Sequence, residues 1–489
     1  MTYQDTRLVV VSNRLPVAVA GKGSQARITA GKGGLVTALA PVLRDRGGVW
    51  IGWSGAAGPT ELDSPLRAFS EKAGYAMHTV DLTEEDIQGF YLGFSNEVIW
   101  PLFHDFPSRC NFAPAYWRSY LEVNRKFAAA IAQHSRPDDY VWVHDYHLMH
   151  VASMLREQGD QRRLGFFLHI PFPPPDLYFK LPWRSELIRA LARFDMVGFQ
   201  TVHDRRNFLQ CLSILCPESR TQGRGPVMTA VLDERRVRAG YFPISIDARD
   251  FTSRARTNES AAAAAQLRST LRHRTILLGA DRLDYSKGIP QRFEAMRALL
   301  GRYPELRNQV SLLQIVVPSR EDLPEYRAMK EEIDRLAGDI NSKYGEPGYM
   351  PIQYLYRNLD RDELVAYYRA ANIGLVTPLR DGMNLVAKEY CACNVDEQGV
   401  LILSEFAGAA AQLQGGALLV NPFDVEGVAD AIHRAMAMPA EERRHRMRRM
   451  RAGVRKYDIF WWVDSFLQAA FGRHLEEFPQ VEMAFHAER

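Results

Sequence analysis

The sequence lacks the features that mark secreted, membrane or nucleic-acid-binding proteins. Its five cysteines are an odd number and form no Cys-x-x-Cys pair, which argues against a disulfide framework and for a reducing cytosol. No apolar run reaches the ~18 residues that a membrane helix needs, and the chain enters the strand-like Leu8–Val11 without a cleavable signal pattern. The net charge of +3 is spread along the chain, which gives no case for nucleic acid or a membrane as partner. We therefore expect a cytoplasmic protein.

The glycine-rich segments near the N-terminus match no complete nucleotide-binding motif. In the run 31–34, Gly33 stands where a P-loop needs Ser or Thr. The run 21–26 fits a loose dinucleotide pattern, but no helix follows it directly. We interpret these segments as a glycine loop that lets a backbone approach a ligand, with Arg14 available for a phosphate.

Length and composition are those of an ordinary protein with several domains. At 489 residues the chain is too long for one core, and length alone suggests two to four domains. The one dense basic block, Arg443–Arg455, has Met447 and Met450 between its arginines. That spacing is typical of the solvated face of a helix and not of an anion site.

Short apolar runs alternate with longer amphipathic stretches along almost the whole chain. This is the pattern of an α/β protein with parallel sheets. The predicted strands are Leu8–Val11, Tyr140–Val143, Gly165–Leu168, Met196–Phe199, Thr275–Gly279, Ser311–Val317, Ile373–Val376, Val400–Leu403 and Ala417–Val420. The predicted helices include Leu35–Arg46, Ala115–His134 and Arg320–Asp339.

The pattern breaks once, between about Pro243 and Arg274, which indicates a crossing between two α/β lobes. We expect an N-terminal lobe over residues 1–245 and a second lobe over residues 246–455. Residues 456–489 contain an aromatic helix-like segment with Trp461 and Trp462. Because such an apolar helix must bury its hydrophobic face, it is expected to pack against another part of the protein, and the first lobe is one possible surface.

The segment Thr377–Glu389 has the pattern of an anion site. It follows a predicted strand and contains a glycine turn before a predicted helix, whose first N–H groups have no intrahelical partner. A diphosphate can be held there without a metal or a Walker lysine. Because a carboxylate repels phosphate, Asp381 is better suited to a hexose hydroxyl and Glu389 to a ribose. The segment therefore predicts a nucleotide-sugar site.

Two cations stand at the end of another predicted strand of the same lobe. Arg282 and Lys287 lie in the segment Gly279–Gly288, before a helix that is expected to start near Pro290. Cations at a strand's C-terminal edge can neutralise the charge on a departing diphosphate. Arg320 follows a further strand and is a second phosphate candidate.

Two strand ends in the first lobe carry polar residues. Asp145 can orient a sugar hydroxyl or accept its proton, and His169 lies in a turn that prolines make rigid. His144, His147 and His150 resemble metal ligands, but their i, i+3, i+6 spacing spreads them around a helix and no acidic ligand completes the set. We therefore expect no metal and no other cofactor.

Tyr91 and Trp100 lie in a region too rich in Gly, Ser, Asn and Pro for a regular core helix. Aromatic faces stack on sugar rings, although aromatic residues are also common core residues. Both interpretations stay open from the pattern alone.

Seven motifs occur in order along the chain: Val11-Ser12-Asn13-Arg14, Gly33-Gly34-Leu35, His144-Asp145-Tyr146-His147, His169-Ile170-Pro171-Phe172-Pro173, Gly198-Phe199-Gln200-Thr201, Arg282-Leu283-Asp284-Tyr285-Ser286-Lys287-Gly288 and Arg380-Asp381-Gly382-Met383-Asn384-Leu385-Val386. Together they resemble the trehalose-6-phosphate synthase family, from about residue 8 to about residue 470. The resemblance implies the GT-B arrangement, two Rossmann-like lobes with the active site in the cleft between them. It also implies a retaining transfer of glucose from a nucleotide diphosphate, usually UDP, to glucose 6-phosphate.

The resemblance implies a role for each matching position. It assigns the NDP-glucose donor to Gly34, Gln200, Arg282, Lys287, Gly382, Met383, Asn384, Leu385, Val386 and Glu389. It assigns glucose 6-phosphate to Arg14, Tyr91, Trp100, Asp145 and Arg320. The implied catalytic residues are His169, Asp381, Arg282 and Lys287. A homo-oligomer, dimer or tetramer, is the expected assembly, although no residue pattern fixes it.

For the mechanism, the resemblance implies attack by the acceptor hydroxyl from the face that the diphosphate leaves, with no enzyme nucleophile. Catalysis then depends on the positioning of the two substrates and on electrostatic stabilisation of the leaving diphosphate. Two alternatives stay open: a related synthase with another donor or acceptor, such as ADP-glucose with glycerol 3-phosphate or a coupling of cyclitols, and a catalytically silent regulatory subunit that binds sugar phosphate. The base of the nucleotide is also left open.

Overall fold

The protein is described by a computed structural model that covers residues 6–20, 27–31, 34–58, 63–272, 274–320 and 323–472. The chain divides into two compact units, Met1–Ile244 together with Phe460–Arg489, and Ser245–Ile459. None of the helices within these covered ranges combines the length and the apolar character needed to cross a bilayer. All five cysteines are free thiols.

The first unit is built on a mostly parallel sheet. Its strands, in chain order, are β1 (Leu8–Arg14), β2 (Val17–Ala20), β3 (Arg27–Ala30), β4 (Val49–Trp53), β5 (Ala76–Thr79), β6 (Tyr140–His144), β7 (Arg163–Phe167), β8 (Met196–Phe199), β9 (Arg220–Gln222), β10 (Val227–Leu232) and β11 (Arg235–Tyr241). Within the described ranges, nine of them form one sheet in the order β5-β4-β1-β6-β7-β8-β11-β10-β9, and β2 pairs with β3. Strand β10, the second from the edge, is antiparallel to both of its neighbours, β11 and β9, and the other pairs of the large sheet are parallel in the described residues.

Helices accompany the strands of the first unit. They are α1 (Gly34–Arg46), α2 (Asp63–Ala73), α3 (Glu84–Asp86), α4 (Trp100–Phe103), α5 (Pro114–His134), α6 (Val151–Glu157), α7 (Pro175–Tyr178), α8 (Arg184–Leu191) and α9 (Val202–Leu215). A π-helix, Ile87–Ile99, joins α3 to α4, and the 3-10 helices Pro107–Arg109 and Tyr146–Leu148 complete the set in the described residues.

The second unit contains an entirely parallel sheet. Its strands are β12 (Thr275–Arg282), β13 (Val310–Val317), β14 (Ile352–Tyr356), β15 (Ile373–Val376), β16 (Val400–Ser404) and β17 (Leu418–Val420), in the spatial order β14-β13-β12-β15-β16-β17. The helices are α10 (Ala248–Ala255), α11 (Asn258–Thr270), α12 (Ile289–Arg302), α13 (Pro324–Tyr344), α14 (Arg361–Ala370), α15 (Leu385–Cys393), α16 (Ala410–Leu413), α17 (Val425–Ala437) and α18 (Ala440–Lys456), with 3-10 helices Tyr285–Lys287 and Pro304–Leu306. The prediction of α/β architecture with parallel sheets is confirmed.

Strand order creates a switch point in each sheet. In the first sheet, β1 lies between β4 and β6. The chain builds β4 and β5 on one side of β1 and then crosses to build β6, β7 and β8 on the other side. In the second, β12 lies between β13 and β15 in the same way. Ligands of doubly wound folds bind outside the carboxyl ends of the strands at such points. The carboxyl ends of β1 and β6, and those of β12 and β15, are therefore the expected ligand-binding positions.

Two predictions about helices need correction. Helix α13 begins at Pro324 and not at Arg320, because proline suits the first helical position and Arg320 has a left-handed φ of 52°. The segment around Tyr91 and Trp100 is helical after all. Ile87–Ile99 forms a continuous helix with buried Phe90 and Phe94. It is a wide π-helix, so its apolar residues do not recur with the 3.6-residue period by which an α-helix is predicted.

The last helix, α19 (Ile459–Phe471), packs within the first unit from Phe460 on. Trp142 of β6 stacks on Phe466 at 4.2 Å between ring centroids and meets Trp462 at 5.1 Å. Arg238 of β11 donates to the main-chain carbonyls of Ala469, Ala470 and Gly472, which satisfies the free carbonyls at the helix C-terminus.

The basic block lies on α18, where Met447, Met450 and Arg451 are buried and the remaining basic residues are exposed or half-buried. This is the arrangement expected of a helix with one solvated face.

Candidate active site

Loops from the neighbouring strands β12 and β15 meet at the C-terminal edge of the second sheet. Ser286, in the turn after β12, accepts the N–H of Leu379 at 2.7 Å and the N–H of Arg380 at 3.4 Å. Asp284 fixes that turn, because its carboxylate accepts the Ser286 N–H and hydroxyl. The two predicted segments are therefore joined by the main chain. We call the residues Arg282, Lys287, Asp381–Val386 and Glu389 the second-unit cluster.

Lys287 and Asp381 form an ion pair at the centre of this cluster. Lys287 Nζ lies 2.6 Å from Asp381 Oδ2, and both side chains are largely buried. The same oxygen accepts the amide of Asn384 at 3.1 Å. The pairing keeps the buried ammonium from standing alone, which would carry a large desolvation cost.

Asn384 forms the N-cap of α15. Its side chain accepts the N–H of Ala387 at 3.2 Å, and its φ of 73° is a left-handed conformation that asparagine tolerates better than most residues. Gly408, on the loop after β16, approaches Gly382 so closely that an added Cβ would lie 2.0 Å from the Gly382 carbonyl oxygen. The turn presents the first N–H groups of α15 at the sheet edge, as an anion site requires.

A buried network lies beneath this turn. Arg292 of α12, 1% exposed, donates to Asp281 at 2.5 Å, to Gln314 at 2.8 Å and to Thr377 at 3.2 Å. These groups come from β12, β13 and the end of β15. Since its charge and hydrogen bonds are satisfied internally, Arg292 stabilises the strand ends and is not a candidate ligand residue.

Arg282 and Arg320 end the neighbouring strands differently. Arg282 is exposed at the last position of β12. Arg320, after β13, donates to the Tyr326 hydroxyl at 2.6 Å and lies 3.7 Å from the Asp284 carboxylate. The structure thus brings Arg320 to the same turn that positions Lys287.

Two ionisable residues follow on α15. The half-buried Glu389 accepts the Tyr368 hydroxyl at 2.7 Å, and burial raises the pKa of its carboxyl. Lys388 is buried and donates to Gln412 at 2.6 Å, and burial lowers its pKa to about 7. Glu389 carries a carboxylate, whose oxygens accept hydrogen bonds, and so it suits a hydroxyl donor such as a ribose.

At the first sheet, Arg14 ends β1. Its guanidinium lies 4.0 Å over the Trp53 ring and 5.7 Å from the Tyr91 ring. Gly55 makes this possible, since an added Cβ would lie 1.8 Å from Arg14 Nη1. An exposed guanidinium held against two aromatic rings is a pre-positioned cation with its N–H groups available.

The π-helix brings Tyr91 and Trp100 to the same side. In an α-helix each residue turns by about 100°, so two residues nine positions apart would face opposite directions. A helix with i→i+5 hydrogen bonds has roughly 4.4 residues per turn, so nine positions complete about two turns. The N–H of Trp100 bonds to the Ser95 carbonyl in this i→i+5 pattern. The wide helix therefore aligns the two rings.

A series of ring contacts connects these two residues to the end of β6. Tyr91 stacks on His147 with centroids 6.0 Å apart, His147 contacts Tyr146 at 4.0 Å, and Tyr146 contacts Trp100 at 5.8 Å. Tyr146 and His147 belong to the 3-10 helix Tyr146–Leu148, which Asp145 directly precedes with a left-handed φ of 75°. We call Arg14, Tyr91, Trp100 and Asp145 the first-unit cluster, because they gather around the β1/β6 switch point.

His169 follows β7 beside Asp145. Its main-chain N–H donates to Asp145 Oδ1 at 3.2 Å, and its Nε2 lies 3.2 Å from Nδ1 of His144. Asp204 and Asn207 of α9 hydrogen-bond the backbone of Phe172. The turn is therefore fixed by α9 as well as by its prolines.

Gln200 follows β8. Its Oε1 accepts the Ile244 N–H at 2.9 Å, and its buried Nε2 has no partner among the described residues. Gly34 is the first residue of α1, while Gly21, Gly23, Lys32 and Gly33 of the predicted glycine loop lie outside the described residues. Of the predicted donor residues, Gly34, Gln200 and His169 belong to the first unit, and the predicted acceptor residue Arg320 belongs to the second.

Two residues support these clusters in ways that the sequence did not predict. Trp53 holds Arg14, and the apolar run Val49–Trp53 was a signal for the strand that carries it. His144 contacts His169, and its direct adjacency to a predicted strand end was the available signal. Within the described residues, no group of three or more His, Cys, Asp or Glu side chains is arranged to hold a metal.

Two α/β units, each with a switch point in a parallel or mostly parallel sheet, define the class of two-lobed α/β proteins to which the GT-B glycosyltransferases belong, and comparison with known proteins identifies the family. Residues 6–471 match glycosyltransferase family 20, to which this chain belongs. The chain is 44% identical over 471 residues to the trehalose-6-phosphate synthase of Mycobacterium sp. (strain JLS), covering 95% of this chain and 96% of the relative.

Solved structures agree with this assignment. An α,α-trehalose-phosphate synthase (UDP-forming) from Burkholderia xenovorans in complex with glucose-6-phosphate is 36% identical, with a TM-score of 0.85 over 95% of this chain and 100% of that one. The E. coli trehalose-6-phosphate protein bound with UDP-2-fluoro glucose is 38% identical, with a TM-score of 0.86 over 95% and 99%. The predictions of the family and of the GT-B fold are confirmed.

Proposed function

We propose that this protein transfers glucose from UDP-glucose, or another NDP-glucose, to glucose 6-phosphate and releases α,α-trehalose 6-phosphate and the nucleoside diphosphate. The observation that carries the proposal is full-length similarity to trehalose-6-phosphate synthases, including one solved with glucose-6-phosphate and one with a UDP-glucose analogue. The proposed substrate residues of each unit gather at a switch point of its sheet, which supports it.

In this proposal the second-unit cluster binds the nucleotide sugar. The N-terminus of α15 and the cations Arg282 and Lys287 hold the diphosphate, and Glu389 accepts ribose hydroxyls. Asp381 contacts the donor glucose. Its ion pair with Lys287 supports a positioning role, because a carboxylate engaged by a lysine and an asparagine is a poor nucleophile.

The first-unit cluster binds the acceptor. Tyr91 and Trp100 pack against the glucose ring, Asp145 accepts a hydroxyl, and Arg14 binds the 6-phosphate together with Arg320. Gly34, Gln200 and His169 contact the donor from this unit.

Transfer proceeds on one face of the donor. The acceptor hydroxyl oxygen forms a bond to the anomeric carbon as the bond from that carbon to the diphosphate breaks, and the departing phosphate oxygen takes the hydroxyl proton. The configuration is retained without an enzyme nucleophile. Arg282, Lys287 and the helix N-terminus stabilise the charge that develops on the leaving group.

The test is nucleotide release from UDP-, GDP- and ADP-glucose, each with glucose 6-phosphate or glycerol 3-phosphate. The expected result is release with glucose 6-phosphate, and a product that NMR identifies as the α,α-linked disaccharide phosphate. Release only with glycerol 3-phosphate would indicate the related synthase. No release with any pair would favour a regulatory protein that binds sugar phosphate.

Two further properties belong to this proposal. Five free thiols support a reducing compartment such as the cytoplasm. A homo-oligomer, dimer or tetramer, is the expected assembly, and light scattering of the purified protein measures it directly.

A further inference from the structure

Two histidines from neighbouring strands share a hydrogen bond. His144 is the last residue of β6 and is fully buried, while His169 follows β7 and is partly exposed. Nδ1 of His144 lies 3.2 Å from Nε2 of His169. At that distance one nitrogen carries the proton and the other accepts it, so the bond fixes the tautomers of both rings together.

Burial favours the neutral form of both imidazole rings. Burial, and secondarily the neighbouring His169, holds the pKa of His144 well below its usual value, and burial lowers the pKa of His169 to about 3. Each neutral ring carries one N–H, and two arrangements are possible. Either His144 donates to His169, or His169 donates to His144.

The surroundings of His144 decide between them. Its Nε2 is buried and has no hydrogen-bond partner among the described residues. If His169 were the donor, the proton of His144 would lie on that Nε2 and would be an orphaned buried N–H, at a cost of about 1–3 kcal/mol. The nearby rings of Trp142 and Trp462 carry buried indole N–H groups, which also have no hydrogen-bond partner among the described residues. Because indole nitrogens only donate, a protonated Nε2 would add a third unpaired donor beside them, whereas an unprotonated Nε2 is an acceptor in a region that already has a surplus of donors.

We infer that His144 is a positioning residue: its Nδ1–H donates to Nε2 of His169 and holds His169 as the tautomer with its proton on Nδ1. That Nδ1 has no protein partner in the part of the chain that the structure describes, so its N–H is available to a ligand oxygen. The inference rests on the proposed function, in which His169 contacts the donor glucose. It adds that the contact is an N–H donated to a sugar oxygen, set by a residue that does not touch the sugar.

Two substitutions separate a hydrogen-bond role from a packing role. The amide of His144→Asn can place an N–H where Nδ1 was, whereas that of His144→Gln reaches the position of Nε2 and leaves Nδ1 unreplaced. We expect kcat with the nucleotide sugar to fall about tenfold or more in His144→Gln and to stay within about threefold of wild type in His144→Asn. His134→Gln, at the C-terminal end of α5 outside both clusters, is the matched control.

The KM for glucose 6-phosphate should stay unchanged in all three variants, because His144 acts on the donor side. Equal losses in His144→Asn and His144→Gln would show that His144 only fills space and would overturn the inference. Thermal melts establish that each variant is folded before its kinetics are compared.

Nitrogen NMR of the imidazoles reads the tautomers directly and needs no activity. In ¹⁵N-histidine-labelled wild-type protein without ligand, we expect His144 and His169 both to carry their proton on Nδ1, with resonances assigned by their loss in His144→Asn and His169→Asn. A proton on Nε2 of His169 would overturn the inference. If no transfer were detected with any substrate, the proposed function would fail while this spectrum still decided the tautomer.

Discussion

The two clusters are held in place by different forces. In the first-unit cluster, rings pack on rings and a guanidinium lies over them, from Trp53 and Arg14 to Trp100. In the second-unit cluster, main-chain turns and one ion pair, Lys287 with Asp381, fix the geometry. Ring packing responds to shape, while an ion pair beside a helix N-terminus responds to single charges. Steric substitutions should therefore damage the first cluster and charge substitutions the second.

The largest expected effect is the loss of either cation of the second-unit cluster. Arg282→Ala or Lys287→Ala should reduce turnover by on the order of 10² or more while the fold survives, because each removes positive charge from the leaving group. Steady-state kinetics with UDP-glucose and glucose 6-phosphate measure it. Lys330→Ala, on α13 and paired with Asp334, is the control lysine. Near wild-type turnover in both variants would contradict the proposal that Arg282 and Lys287 stabilise the leaving diphosphate.

The next effect tests shape in the first-unit cluster. An added Cβ at Gly93 of the π-helix would lie 2.5 to 2.8 Å from atoms of the Tyr116 ring. Gly93→Ala should cost about 1–3 kcal/mol of stability and shift the helix that aligns Tyr91 with Trp100. We expect the KM for glucose 6-phosphate to rise several-fold, with the KM for UDP-glucose nearly constant.

The control for that substitution is Gly338→Ala, also within a helix, where an added Cβ meets nothing within 4 Å. It should leave both KM values unchanged. If Gly93→Ala raised both KM values equally, the π-helix would have no special relation to the acceptor.

A smaller effect is expected from the cap of α15. Asn384→Ala removes the N-cap bond and the contact with Asp381, and places alanine at a positive φ, which should cost about 1–2 kcal/mol. Asp360→Ala removes the N-cap of α14, whose side chain accepts the Glu363 N–H. Denaturant unfolding should show losses in both variants. Only Asn384→Ala should raise the KM for UDP-glucose; a matching rise in Asp360→Ala would contradict a specific role for the turn.

The last prediction concerns the pH dependence of stability, and not turnover or substrate binding. Burial lowers the pKa of Lys388 from 10.5 to about 7, so between these values the unfolded chain binds a proton that the folded protein does not. The free energy of unfolding therefore rises with pH across that interval, and the cost of burying the charged form is fully present below about pH 7.

Lys388→Met removes this dependence. In urea unfolding at pH 6, 8 and 9.5, the wild type should gain stability relative to the variant as the pH rises. Lys330→Met, at a more exposed lysine, should show no such trend. A wild-type-to-variant difference that stays constant with pH would mean that Lys388 remains charged.

The sequence predicted the strand ends better than their contacts. Short apolar runs located β6, β12 and β15, and the polar residues after them do lie at sheet edges, because parallel strands put their carboxyl ends together. The bond between Lys287 and Asp381 joins positions 94 residues apart, and no local pattern encodes it.

The same limit applies to the first-unit cluster. The π-helix has neither the period of an α-helix nor that of a strand, so the alignment of Tyr91 with Trp100 could not be derived from spacing. The left-handed backbone of Asp145 and the bond between His144 and His169 depend on neighbouring strands and are likewise absent from local patterns.

The most direct test of the division between the clusters is calorimetric titration of two variants with two ligands. UDP should bind more weakly to Lys287→Ala and normally to Tyr91→Ala, and glucose 6-phosphate should show the reverse. This crossed result would establish that each cluster binds its own substrate, the second-unit cluster through the charge of Lys287 and the first-unit cluster through the ring of Tyr91. Equal loss of both ligands in either variant would contradict the account.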